Sequence, residues 1–204
     1  MEGLLCLPSQ AAVQTSLAAS GNEQWLKQYY FTRAAFSLLW VTAALTIGQQ
    51  SFAITAALLI AYPAWDAAAN VIDAARSGGL AVNRSQAINV TASSIMTIAV
   101  IIALTTSMNW VLGAFGLWAI FSGLLQLGTA LRRWKTSGGQ WAMILSGGQS
   151  ALAGAVFMYQ AQMPEEPLIS TVAGYAGFGA FYFLVSAIWL SISLSRLGTS
   201  EVEH

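Results

Sequence analysis

The stretch that decides the fold class is residues 52–76, which read FAITAALLIAYPAWDAAANVIDAAR. It is mostly apolar over about 20 residues, which is the length of helix that crosses a bilayer. Apolar and polar residues do not alternate along it, so a strand is a poor interpretation. The stretch ends at Arg76, as a span that stops at a membrane surface would. It predicts a transmembrane helix.

The composition of the whole chain also indicates a membrane protein. Of its 204 residues, 56% are apolar and 8% are charged, whereas a soluble domain carries about 25% charged residues. So few charges cannot cover a water-exposed surface, which excludes a soluble globular domain. The many apolar and aromatic residues also exclude a disordered chain. An integral membrane protein is the class that remains.

Six stretches are long and apolar enough to predict spanning helices, and short polar breaks separate them. We therefore predict an all-α membrane protein with one six-helix domain over residues 25–196. Residues 1–24 are expected to form a loose or interfacial cytoplasmic tail, and residues 197–204 a second cytoplasmic tail. The predicted spans are roughly 28–48, 52–75, 86–106, 109–131, 140–161 and 167–194, and they form three hairpins at about 28–75, 86–131 and 140–194.

The basic residues predict the orientation of these helices. Apart from Arg33, every lysine and arginine falls in a tail or a loop on one side of the predicted membrane, and the three loops on the other side have none. Loops rich in lysine and arginine stay in the cytoplasm, so both termini are predicted to be cytoplasmic. The residues that set this prediction are Lys27, Arg76, Arg84, Arg132, Arg133, Lys135 and Arg196.

Similar patterns recur along the chain with a period near 56 residues. Asp66, Ser122 and Ser186 each stand ten residues before an arginine, and a small residue follows each of them. In the odd-numbered spans, Ser37, Ser94 and Ser150 are 57 and 56 residues apart. The pattern predicts three hairpin repeats that are inserted in the same direction and are therefore parallel, unlike the inverted repeats of many transporters.

The second span carries the most informative polar residues. Asp66, Asn70 and Asp73 fall within about 60° of one another on a helix, and Asp66 lies about 15 Å from the Arg76 end. A charge near the bilayer centre costs about 2.5–3.5 kcal/mol, so Asp66 should be protonated or paired. Arg33 is expected to pair with Asp66 or with Asp73. The group is either a structural lock or part of a path for protons or small solutes.

Five further polar residues are secondary candidates, and they are expected to form hydrogen bonds between helices. The sequence predicts no catalytic residues, no metal and no cofactor, because Cys6 is the only cysteine and His204 the only histidine. The zero net charge also argues against a nucleic-acid partner. The protein is thus expected not to be an enzyme. The secondary positions are Asn89, Ser122, Gln126, Gln149 and Ser186.

Residues 25–196 resemble the HdeD family, also known as the DUF308 repeat proteins. The nearest stretch is residues 137–148, SGGQWAMILSGG, where a glycine and a tryptophan enter a helix and glycine follows one to two turns later. The pairs Arg33-Ala34 and Asp66-Ala67 are similar to the family's Arg-Gly and polar-Gly pairs. The resemblance implies a protein of the bacterial inner membrane, and it links some members to acid resistance.

Three functions follow as alternatives from the sequence. The first is a non-enzymatic HdeD-like protein that acts in envelope or acid-stress physiology. The second is a small channel or transporter for protons or small solutes that uses the polar residues of the second span. The third is an accessory subunit of a larger membrane complex. The expected partners are the lipid bilayer and either further copies of the chain or another membrane protein.

Overall fold

The computed structural model describes residues 10–133 and 140–200, including most side chains between residues 23 and 195. All regular structure in these residues is helical. Residues 1–9, 134–139 and 201–204 lie outside the described part, and with them Cys6, Lys135 and His204. The helices are α1 (Gln10–Thr46), α2 (Phe52–Arg76), α3 (Arg84–Leu104), α4 (Met108–Arg133), α5 (Gln140–Gln160) and α6 (Ile169–Ser200).

The helix ends lie within a few residues of the predicted spans, except at the two termini of the described chain. Helix α1 already begins at Gln10, inside the segment that was predicted to be loose or interfacial. After Pro8 this segment is rich in alanine and glutamine and has no proline to stop a helix. It is therefore helical, and its place at the membrane surface stays a prediction. Helix α6 likewise continues to Ser200.

Four helices of the described chain are long and apolar enough to cross a membrane: Phe52–Arg76, Arg84–Leu104, Met108–Gly128 and Ile169–Ser195. They make this a multi-pass membrane protein. Helices α1 and α5 expose large apolar side chains, such as Leu39 and Leu152, which suit a surface in contact with lipid. Their membrane crossing, the orientation of the termini and the threefold repeat stay predictions.

Helix α2 has clear signals at both ends. The Ser51 hydroxyl caps its first turn by accepting a hydrogen bond from the Ile54 N–H at 3.3 Å. After Arg76 the chain reverses direction through Gly78 and Gly79, whose φ angles of 94° and 92° favour glycine. The loop at residues 77–83 then leads into α3, so α2 and α3 run antiparallel.

Pro63 lies inside α2, where it removes the N–H that would bond to the Leu59 carbonyl. A neighbouring helix supplies a polar contact at this point, because the Trp40 indole N–H of α1 donates to the Leu58 carbonyl at 2.7 Å. The Trp40 and Tyr62 rings lie 4.7 Å apart, and Phe36 stacks on Trp65 at 4.5 Å. These contacts tie the second half of α1 to α2 around the proline.

The described chain divides into two compact units, one of which is Phe36–Gly179. Within this unit the backbones of α4 and α5 approach each other closely. A Cβ built on Gly154 would lie 2.5 Å from the Gly116 carbonyl oxygen, and one on Gly147 would lie 2.8 Å from the Gly123 carbonyl oxygen. Because the glycines are seven residues apart on both helices, the two backbones stay in contact over one heptad.

The same pair of helices is also joined at the start of α4. The Asn109 side-chain amide donates to the carbonyls of Ala161 and Met163, at 3.2 and 2.8 Å. This contact continues the glycine register, because Asn109 lies seven residues before Gly116 and Ala161 lies seven after Gly154. The α4–α5 pair is therefore fixed by backbone contact and by a side-chain clamp.

Candidate functional site

The three polar residues predicted to share one face of α2 do so. Asn70 and Asp73 are 5% and 6% exposed, and Asp66 is half-buried. The helical rotation of 100° per residue explains why residues four and seven apart point in similar directions. The face turns towards α3, so the buried polar groups meet another helix of the same unit.

Two side chains of α3 bind the two carboxylates. The Ser93 hydroxyl donates to Asp66 Oδ2 at 2.5 Å, and the Gln86 amide donates to Asp73 Oδ2 at 2.7 Å. Ser93 itself is 1% exposed. The two carboxylates are seven residues apart on α2, and their two donors are seven residues apart on α3. Seven residues is the interval at which side chains meet along a pair of packed helices. We call these four residues and Asn70 the polar seam.

Bonds within each helix add to the hydrogen bonding of the polar seam. Asn70 Nδ2 donates to the backbone carbonyl of Asp66 at 2.8 Å and to its Oδ2 at 3.2 Å. The Ser77 hydroxyl donates to the Asp73 carbonyl, and the Thr97 hydroxyl donates to the Ser93 carbonyl. Buried polar groups with satisfied hydrogen bonds hold elements in a defined arrangement. The polar seam has the chemistry of a helix-to-helix joint.

An apolar layer follows the polar seam. Leu59 and Val100 lie seven residues beyond Asp66 and Ser93, and both are fully buried. They belong to a core with Met96, Phe115 and Ala176. In this direction the polar residues thus give way to packed hydrocarbon.

Arg33 lies in the other compact unit, which joins the described parts of Met1–Ala35 and Ala180–His204. Its guanidinium donates to the Tyr29 hydroxyl at 2.9 Å and lies 4.4 Å from the centre of the Phe183 ring. Such a cation–π contact stabilises a cation at a partly desolvated position. The pairing of Arg33 with Asp66 or Asp73 stays a prediction.

Sequence reasoning missed Gln86 and chose the neighbour of Ser93. In the repeat alignment Ser94 was matched to Ser37 and Ser150, but Ser94 is exposed and Ser93 is buried. The three buried serines, Ser37, Ser93 and Ser150, are 56 and 57 residues apart. The signal that could have found both residues is spacing, since Gln86 and Ser93 are seven apart, as are Asp66 and Asp73.

The secondary polar positions do not form one site. Asn89 and Ser186 are exposed, whereas Ser122, Gln126 and Gln149 are half-buried. The Gln126 Oε1 atom is buried and has no hydrogen-bond partner within the described part of the chain.

The better connected polar residue of this region is Ser150. Its hydroxyl donates to the Ala119 carbonyl at 2.9 Å and lies 2.8 Å from the Tyr175 hydroxyl. The α5 serine therefore binds a backbone carbonyl of α4, whereas the α3 serine binds a carboxylate of α2.

The described residues contain no group of three or more histidine, cysteine, aspartate or glutamate side chains that could hold a metal ion. Serine and amide groups are among the donors that meet the carboxylates of the polar seam.

Residues 92–159 match the model of the family DUF308, described as a short repeat of unknown function. The match covers about a third of the chain and runs from Ala92 in α3 through α4 to Tyr159 in α5. It contains Ser93 and the four glycines of the α4–α5 contact, and it supports the resemblance to DUF308 repeat proteins. No curated protein and no solved structure gives a match. The narrower resemblance to HdeD stays a prediction.

Proposed function

We propose that this protein is a non-enzymatic, HdeD-like protein of the bacterial inner membrane that acts in envelope or acid-stress physiology. The proposal combines the DUF308 match at residues 92–159 with the multi-pass helical fold. Asp66 pairs with Ser93, and Asp73 pairs with Gln86. This pairing is the observation that favours a structural role for the carboxylates over transport or catalysis. Side chains that bind each other between helices are built into the fold.

The proposal includes the orientation and the repeats. Both termini lie in the cytoplasm, and three hairpins repeat in parallel along the chain. The buried serines at a period of 56 and 57 residues support the repeat. The lipid bilayer is the main partner, and the exposed apolar side chains provide surface for lipid, for further copies of the chain or for a larger membrane complex.

The second candidate is a path for protons or small solutes at Asp66. One observation favours it: Asp66 is half-buried, unlike the nearly fully buried Asn70 and Asp73. Against it stands the layer of Leu59 and Val100 beyond the polar seam. Ionisable residues inside membrane segments mark ion and proton paths in many transporters, so the two candidates need a direct comparison.

The test is a leak assay in proteoliposomes across pH 4 to 8, with the wild type, Asp66→Asn and protein-free vesicles. The proposal predicts that the wild type conducts protons and small solutes no faster than protein-free vesicles. Flux in the wild type that Asp66→Asn abolishes or makes independent of pH would instead establish the transport candidate.

The physiological part of the proposal needs its own experiment. A bacterial strain without the gene should survive less well after exposure to low pH, and a plasmid copy should restore survival. Equal survival of both strains under acid and envelope stress would contradict this role while leaving the leak result unaffected.

A further inference from the structure

The compact unit that contains Arg33 carries a line of aromatic and basic side chains on α1. Trp25, Tyr29 and Arg33 follow one another at intervals of four residues, so they lie on one face of the helix, within about 80° of rotation. The Trp25 and Tyr29 rings lie 6.3 Å apart, and Arg33 donates to the Tyr29 hydroxyl at 2.9 Å. All three side chains are half-buried. They form a continuous set of contacts along α1, with part of each side chain exposed.

The Arg33 side chain points back along α1, towards the start of the helix. Its Nη1 atom meets the hydroxyl of Tyr29, which is one turn nearer to that start. Arg33 lies inside the span predicted at roughly 28–48, and Tyr29 lies at its beginning. The guanidinium is therefore directed towards the predicted membrane surface. Long basic side chains near the end of a membrane helix extend in this way to the surface, where the phosphate groups of lipids lie.

Aromatic rings hold the guanidinium of Arg33 in place. Its Cζ atom lies 4.4 Å from the centre of the Phe183 ring of α6 and 5.6 Å from the centre of the Tyr29 ring. Tyr30 packs against the same Phe183 ring, with 6.3 Å between ring centres. A guanidinium has five N–H donors in one plane, and this fork matches the oxygen atoms of a phosphate. The aromatic rings thus position a group that is suited to phosphate binding.

The charges of this compact unit favour an anion as the partner of Arg33. Among the described side chains of residues 23–35 and 180–195, Lys27 and Arg33 are basic and Glu23 is the one acidic residue. Glu23 is ten residues before Arg33, which is about 15 Å along the helix axis. The competing partner is a carboxylate of α2, as predicted from the sequence. The anionic lipids of a bacterial membrane also attract arginine at its surface.

We propose that Arg33 binds the phosphate of an anionic phospholipid in the leaflet at the start of α1, which is the predicted cytoplasmic leaflet. The guanidinium binds the phosphate oxygens, and the rings of Tyr29 and Phe183 hold the guanidinium. The Trp25 ring lies against the lipid at the level of the headgroup, where tryptophan is enriched in membrane proteins. The site requires that α1 enters the membrane. It does not depend on a role in acid stress or on proton conduction.

Native mass spectrometry of the full-length protein, released from dodecyl maltoside micelles, tests the site by counting bound lipid molecules. The protein is titrated with phosphatidylglycerol and, in parallel, with monoolein, a neutral lipid without phosphate. We expect saturable binding of phosphatidylglycerol at concentrations at which monoolein is not retained. Inorganic phosphate in excess is added to the phosphatidylglycerol complex and should not displace the lipid, because it lacks the acyl chains.

Two matched substitutions on α1 separate the site from the general attraction of positive charge. Arg33→Gln and Lys27→Gln each remove one positive charge. Lys27 is two residues before Tyr29, and a rotation of 200° places it on the opposite side of the helix. Arg33→Gln should weaken phosphatidylglycerol binding about tenfold, since it removes hydrogen bonds between charged groups. Lys27→Gln should have a clearly smaller effect.

Thermal unfolding in the same detergent is the folding control. If Arg33→Gln does not fold, Arg33→Lys takes its place: it keeps the charge but loses the planar fork, and it should bind phosphatidylglycerol more weakly than the wild type. Equal losses in the Arg33 and Lys27 variants would refute the site and indicate attraction by charge alone. Unchanged binding in the Arg33 variant, or equal retention of monoolein, would also refute it. Displacement by inorganic phosphate would show that the site binds free phosphate and not a lipid.

Discussion

The Ser93 hydroxyl of α3 donates a 2.5 Å hydrogen bond to the Asp66 carboxylate of α2. The bond joins two helices, and it lies where the bilayer centre is predicted. Asn70 donates to the same carboxylate oxygen. One carboxylate is thus held by its own helix and by the next one, which makes it the central contact of the α2–α3 pair.

The two adjacent serines of α3 provide a matched comparison. Ser93→Ala removes the donor to Asp66, and we expect a loss of about 1.5–3 kcal/mol in the free energy of unfolding because the acceptor is a carboxylate. Ser94→Ala changes an exposed side chain on the same helix and should change that free energy by less than about 0.5 kcal/mol. Denaturant titration in detergent micelles measures both. Equal effects would show that the Ser93 bond does not hold the pair.

The glycine contact between α4 and α5 predicts a second matched result. Gly123→Ala would bring a methyl group to the Gly147 carbonyl and within 2.6 Å of the Ala151 backbone nitrogen. We expect a loss of about 1–3 kcal/mol from overpacking. Gly148→Ala meets nothing within 4 Å and should stabilise α5 by up to about 1 kcal/mol through helix propensity. Thermal unfolding of both variants is the measurement, and a Gly123→Ala protein as stable as the wild type would refute the contact.

The predicted pairing of Arg33 with a carboxylate of α2 can be tested by exchanging the two charges. Arg33→Asp alone should lower the yield of folded protein, because it leaves like charges in the membrane. Asp66→Arg in the same chain should restore folding if Asp66 is the partner, and Asp73→Arg should restore it if Asp73 is. Size-exclusion chromatography of detergent extracts gives the folded fraction. Failure of both exchanges would exclude the pairing.

Most of α2 follows from the sequence alone. Its length comes from the apolar run, its start from the Ser51 cap and its end from Arg76 and the glycines that follow. The polar face of Asp66, Asn70 and Asp73 follows from helical rotation. Each of these features depends on residues that are close together in the chain.

The partner of that polar face could not be predicted in the same way. Rotation shows which residues share a face, but it does not show which helix packs there. Arg33 is the only cation inside a predicted span, and it was therefore the expected partner. The neutral donors Gln86 and Ser93 were missed. In a serine doublet, a repeat alignment also cannot separate Ser93 from Ser94, although a rotation of 100° places one inside and the other outside.

The most direct test of the account is a double-mutant cycle on Asp66 and Ser93, with Asp66→Asn, Ser93→Ala and the double variant unfolded by denaturant in micelles. If the Asp66–Ser93 bond of the polar seam holds the two helices together, we expect a coupling energy of about 1–2 kcal/mol. This value is at the upper end for hydrogen bonds between membrane helices. A coupling energy near zero, with the two single effects simply adding, would contradict the claim that this bond holds α2 to α3.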